Sequence, residues 1–215
     1  MSGIVRPSAA AQVGRFVGTT GLTWGVVAVG LAVAAAPGLA GWLEYDRALL
    51  GAGQVWRVLT GHLSHYSGSH LLWNLLGFAV LGAICERAQP RGFIWALALS
   101  LVLIPLGLWW GAPELVAYRG LSGVTSALFG LAAAHLVRQQ VRDGRPGQAW
   151  LSAACGVGFV GALAHTWLGG ETLLISGYGH EVAPVPLSHA IGLVVGVALA
   201  LAFDRAQEED SPCSV

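Results

Sequence analysis

The stretch Ser69-His70-Leu71-Leu72-Trp73-Asn74-Leu75-Leu76-Gly77-Phe78-Ala79-Val80-Leu81-Gly82-Ala83-Ile84-Cys85-Glu86 is long and apolar enough to cross a bilayer, yet it carries His70 and Asn74 near its start. Their spacing of four puts both on one face of a helix. Polar groups are costly in a membrane helix, on the order of 2.5–3.5 kcal/mol for a charged residue at its centre, so such a pair is a functional signal by default.

Working outward, apolar stretches of similar character fall at 20–43, 92–111, 121–138, 149–169 and 186–204. With 69–86 they predict an all-α membrane protein, a bundle of six transmembrane helices. Composition agrees, since 55% of residues are apolar and only 10% charged. Each spanning helix uses roughly 20 residues, which leaves no room for a second globular domain. The organisation expected is a short cytoplasmic segment at 1–19, a membrane domain at 20–205 and an acidic cytoplasmic tail at 206–215.

The first apolar stretch resembles a signal peptide, with small residues at Ala34–Ala36. The five spans after it make that distinction minor, because cleavage would leave an odd number of helices. Arginines set the orientation. Arg6, Arg15, Arg87, Arg91, Arg138, Arg142, Arg145 and Arg205 fall on one side, and Arg47, Arg57 and Arg119 on the other. The positive-inside rule then makes both termini cytoplasmic. Outer loops follow at 44–68, 112–120 and 170–185. A net charge of zero without a basic run excludes nucleic acid as a partner and leaves the lipid bilayer. Cys85, Cys155 and Cys213 are too dispersed for a metal or redox motif.

Three polar clusters lie toward the outer side. The first runs from His62 through His65 and His70 to Asn74. The second is Gly120-Leu121-Ser122-Gly123, opening the fourth helix, and the third is His189-Ala190-Ile191-Gly192 with Gly196, opening the sixth. The fourth and sixth helices both run inward, so Ser122 and His189 share a depth. Gly123, Gly192 and Gly196 are small enough to let those helices approach closely. A serine hydroxyl needs a base to become a nucleophile, and imidazole suits that task near neutral pH. His70, Asn74 and the Ser122 amide at a helix N-terminus can donate to a developing oxyanion. With no carboxylate placed to orient His189, the arrangement is a dyad.

Trp56-Arg57, His65-x4-His70-x3-Asn74, Gly120-x-Ser122-Gly123 and His189-x2-Gly192-x3-Gly196 resemble the rhomboid intramembrane serine proteases in order and spacing, over residues 50–205. The resemblance implies Ser122 as nucleophile, His189 as general base, and His70, Asn74 and Ser122 as oxyanion donors. Gly120, Gly123, Gly192, Gly196, Trp56, Arg57 and His65 would be supporting residues. It also implies an outward-opening cavity in a multi-pass protein of the bacterial inner membrane, with the active site facing the periplasm. Substrates would be single-span membrane proteins, with no cofactor and no metal.

One departure is Ser126, at a position four after the serine where the family often has an aromatic that stacks on the base. The short chain, the Pro113-Glu114 to Tyr118-Arg119-Gly120 run and Thr60-Gly61-His62 are most similar to the rhombosortase subgroup, associated with substrates ending in a Gly-Gly motif, a membrane helix and a basic tail.

Other readings compete. Single serines and histidines in membrane helices often serve as interhelical glue. His62, His65 and His70 make an alternative metal cluster that lacks carboxylate or cysteine partners. His62 and His65 are expected to shape the first loop by hydrogen bonding, Arg57 to hold its fold, and Trp42, Trp109, Trp110 and Trp167 to sit as interfacial anchors. A non-catalytic helix-binding member of the fold would be expected to lack Ser122 or His189. A transporter would want ionisable groups through the midplane.

Overall fold

The computed structural model describes residues 20–36, 38–168 and 185–209, with 204–209 described by backbone alone. The expected outer loop as far as 184, the first nineteen residues, residues 210–215 and the side chains of 204–209 lie outside that description.

The expected 20–43 helix is two helices. α1 (Gly21–Ala34) ends early and α2 (Leu39–Leu43) restarts after Gly38, whose φ of 84° no helix interior accommodates. Apolarity alone did not reveal that break. The segment up to 68 holds strand β1 (Tyr45–Asp46), the short helices α3 (Arg47–Gly51) and α4 (Arg57–Thr60), and a 3-10 turn at Gly61–Leu63. The long helices are α5 (Gly68–Ala88), α6 (Pro90–Gly111), α7 (Ser122–Arg142), α8 (Pro146–Trp167) and α9 (Pro186–Glu209). Strand β2 (Ala117–Tyr118) precedes α7.

Local chemistry fixes the starts of these helices. Ser67 caps α5, its Oγ accepting the His70 amide at 3.1 Å. Pro90 and Pro146 stand in the first turns of α6 and α8, where a missing N–H costs nothing. Glu86, within the stretch that opened the sequence reading, is paired with the start of α1. Its carboxylate accepts the Leu22 and Thr23 amides at 3.0 and 2.9 Å and the Thr23 hydroxyl at 2.6 Å. An anion thus sits at the positive N-terminal end of α1.

Among the described residues four helices are long and apolar enough to cross a membrane, namely α5, α6, α8 and α9 through Phe203. α7 has the length but a more polar sequence, and it can be so because it is the centre of the bundle, packed by α5, α6, α8 and above all α9. Phe78, Phe93, Ile104, Leu108, Val124 and Leu128 form the core around it. α8 is the opposite case. Only Ala149 of its residues is buried, and Trp150, Leu151, Val157, Val160 and Trp167 face outward.

α7 and α9 pack backbone to backbone. A Cβ at Gly192 would collide with the Gly123 carbonyl, and one at Gly196 with the Ala127 carbonyl. Steps of four on both helices in the same order mean that they run parallel. Their exchange of side chains for close approach follows the rule for small residues in membrane bundles.

The first loop is tied down from within. Arg57, 2% exposed, donates from Nη1 to the Gly41 and Glu44 carbonyls at 3.0 and 2.7 Å, and from Nε to Gln54 Oε1 at 2.8 Å. Trp56 stacks on Trp42 at 5.1 Å. Trp42, Trp110 and Trp167 are exposed at helix ends, whereas Trp109 carries the Arg47 guanidinium 4.5 Å above its ring and so binds the loop instead of anchoring it to an interface.

Candidate active site

The first loop delivers a strand to the site. β1 pairs antiparallel with β2, Tyr45 opposite Tyr118, and the Gly120 amide donates to the Gly61 carbonyl at 3.2 Å. Arg119 adds an ion pair to Glu44 at 2.6 Å. The chain therefore reaches α7 from a fixed platform.

Gly120 turns the chain into α7 with φ of 113°, a conformation that L side chains rarely adopt. Its close neighbours are His70 and Asn74. A Cβ at Gly120 would lie 2.9 Å from both Cε1 and Nε2 of His70, and 3.8 Å from Asn74 Nδ2. The first two polar clusters of the sequence thus meet at one point.

His70 and Asn74 are both buried. The Tyr66 amide donates to His70 Nδ1 at 3.4 Å, which places the proton of the neutral ring on Nε2, the atom facing Gly120. Asn74 Nδ2 donates one hydrogen to the His70 carbonyl at 2.8 Å, leaving the second, and Asn74 Oδ1 has no partner among the described residues. Ser122 opens α7, so its amide is one of the unpaired N–H groups of a helix N-terminus. Three donors are gathered around the turn that carries the serine.

His189 lies in the first turn of α9, one helical turn before Gly192. The parallel register of Gly192 with Gly123 brings it to the level of the Gly120–Ser122 turn, within electrostatic reach of His70. Ser122 and His189 are each half-buried, and no hydrogen bond joins them among the described residues. The Ser126 hydroxyl donates to the Ser122 carbonyl at 2.9 Å.

For His62 and His65, expected to shape the first loop by hydrogen bonding, backbone groups of Leu101 and Gly120 act on the first ring and one of Leu63 on the second. Neither ring nitrogen of either residue has a hydrogen-bond partner among the described residues. His62 packs its ring edge-on to Tyr118 at 5.6 Å, and His65 packs against His70 at 5.1 Å. Burial holds both imidazoles down to about 4, with the His70 charge adding to the effect at His65. They are neutral walls. Among the described residues no three His, Cys, Asp or Glu side chains are grouped to hold a metal.

Two aromatic neighbours escaped the sequence reading. Tyr66 stacks on His70 with ring centres 5.9 Å apart. Tyr118, 3% exposed, donates its hydroxyl to the Gly120 carbonyl at 3.1 Å. Neither residue belongs to a helical period, and only the β1–β2 pairing and the loop path bring them in.

A family model described as the rhomboid domain matches residues 52–205. The chain belongs to the rhomboid family. The match runs from the first loop through α9 and so includes every element that carries a candidate residue. Rhomboids are in general intramembrane serine proteases, although some members are inactive. This rhomboid is accordingly a multi-pass membrane protein whose apolar helices face lipid. No curated protein matches the chain.

Proposed function

We propose that this rhomboid is an active intramembrane serine endopeptidase with Ser122 and His189 as a catalytic dyad. The observation that carries the reading is Gly120 lying against His70 and Asn74 while the Gly123–Gly192 contact fixes the depth of His189. Three polar clusters far apart in sequence meet at one end of the bundle, and interhelical glue gives no reason for donors to converge on a single turn.

His189 accepts the Ser122 proton as Oγ attacks the substrate carbonyl. The Ser122 amide, His70 Nε2–H and the Asn74 amide donate to the oxyanion, each worth about 2.7–4 kcal/mol of barrier when preorganised. His189 then protonates the leaving amine, and water, activated by the same imidazole, hydrolyses the acyl-enzyme.

The topology proposed has six spans, with α1 and α7 added to the four most apolar helices and both termini cytoplasmic. It places the site toward the periplasm of a bacterial inner membrane. Substrates are single-span membrane proteins, and the preferred class is rhombosortase-like, ending in a Gly-Gly motif, a membrane helix and a basic tail. General rhomboid substrates are the alternative.

The test is cleavage in liposomes of two substrates, one with that Gly-Gly signal and one with an unrelated helix containing small residues. Preference for the first supports the subgroup, and preference for the second leaves a general rhomboid. Binding of either without cleavage points to a non-catalytic member.

A further inference from the structure

We infer that Tyr118 is a positioning residue that clamps the nucleophile's turn to the helix carrying the base, in place of the aromatic absent at Ser126. The inference rests on the Ser122–His189 reading. The Tyr118 hydroxyl donates to the Gly120 carbonyl at 3.1 Å, so it grips the residue whose backbone lies against His70 and Asn74.

The same oxygen reaches the neighbouring helix. A Cβ at Gly123 would lie 3.2 Å from Tyr118 Oη and 3.0 Å from the Ser188 carbonyl, so phenol, α7 and the first turn of α9 touch at one place. Ser188 directly precedes His189 and is itself buried, its hydroxyl donating to the Val185 carbonyl at 2.7 Å. Ser122, Gly123 and Ser188 all lie within electrostatic reach of the phenol.

The ring itself is held rigidly. Pairing of β2 with β1 sets its backbone, and the edge of His62 packs on it at 5.6 Å. Burial pushes the phenol up to about 12. It therefore stays protonated at working pH and acts as a fixed donor, never as a base. Ser126 cannot serve this purpose, since its hydroxyl is engaged with the Ser122 carbonyl. The aromatic brace comes from the strand before the serine instead of the helix after it.

Removing only the hydroxyl tests this. Full-length wild type, Tyr118→Phe and Ser122→Ala are compared in liposomes for kcat and KM on a cleaved membrane substrate, for the rate of serine acylation by a fluorophosphonate, and for the thermal unfolding midpoint. Tyr118→Phe is expected to lower kcat and the acylation rate by about tenfold, the value of one hydrogen bond, with KM unchanged and a midpoint lowered only slightly, so that the protein stays folded at the assay temperature. Wild-type kcat and acylation in Tyr118→Phe overturn the inference. So does a loss confined to KM, or one explained by unfolding at the assay temperature. Wild type that cuts no faster than Ser122→Ala removes the protease reading itself, and the inference with it.

Discussion

His70 and Gly120 touch: a Cβ at residue 120 would stand 2.9 Å from the His70 ring, at a backbone φ of 113°. One glycine therefore satisfies a turn and a close approach at once. Gly120→Ala is expected to displace His70 and the turn before Ser122, lowering kcat/KM by about a hundredfold, as loss of one oxyanion donor does. Unfolding measured alongside should move by only about 1–2 kcal/mol, the cost of a left-handed non-glycine residue.

The α7–α9 seam gives a second prediction. Gly192→Val must push apart two helices whose backbones are in contact, and should cost about 1–3 kcal/mol or more, with loss of cleavage. Gly158→Ala on α8, where a Cβ meets nothing within 4 Å, is the control, and its stability should stay within about 0.5 kcal/mol. Denaturation in mild detergent compares the two.

Arg57 holds the first loop through two carbonyls and Gln54. Arg57→Ala leaves those acceptors unpaired and is expected to cost about 3 kcal/mol, read as a lower unfolding midpoint and faster proteolytic nicking between 44 and 68. Arg57→Lys should recover only part of it, because an ammonium cannot span the same acceptors as a planar fork.

The buried histidines predict an acid limb in stability. His62 and His65 titrate at about 4 in the fold, against 6.5 when unfolded. Between those values the unfolded chain binds more protons, so stability rises with pH through the window and is flat above it. The unfolding midpoint should fall as pH drops from about 6.5 toward 4, and His62→Phe should flatten that fall.

Most of the helical frame was legible, because the apolar stretches set the bilayer scale: 69–86 became Gly68–Ala88 and 92–111 became Pro90–Gly111. The first helix was not, since 20–43 was read on its apolarity alone, which passes over Pro37-Gly38, where the helix breaks with φ of 84° at Gly38. Glu86, the last residue of the expected 69–86 span, also accepts the first amides of α1. Ser122, His189, His70 and Asn74 drew attention as candidates because polar residues stand out against apolar helices. Tyr118 and Tyr66 could not. They lie in the loop and strand segments, where no period marks an inward face, and β1 joins β2 across more than seventy residues.

The most direct measurement of the central claim is mass-spectrometric mapping of a fluorophosphonate adduct on the full chain in liposomes. The account predicts one adduct, on Ser122, whose formation is abolished by His189→Ala while Ser126→Ala still labels. Absence of an adduct on Ser122, or undiminished labelling of Ser122 in His189→Ala, would contradict it.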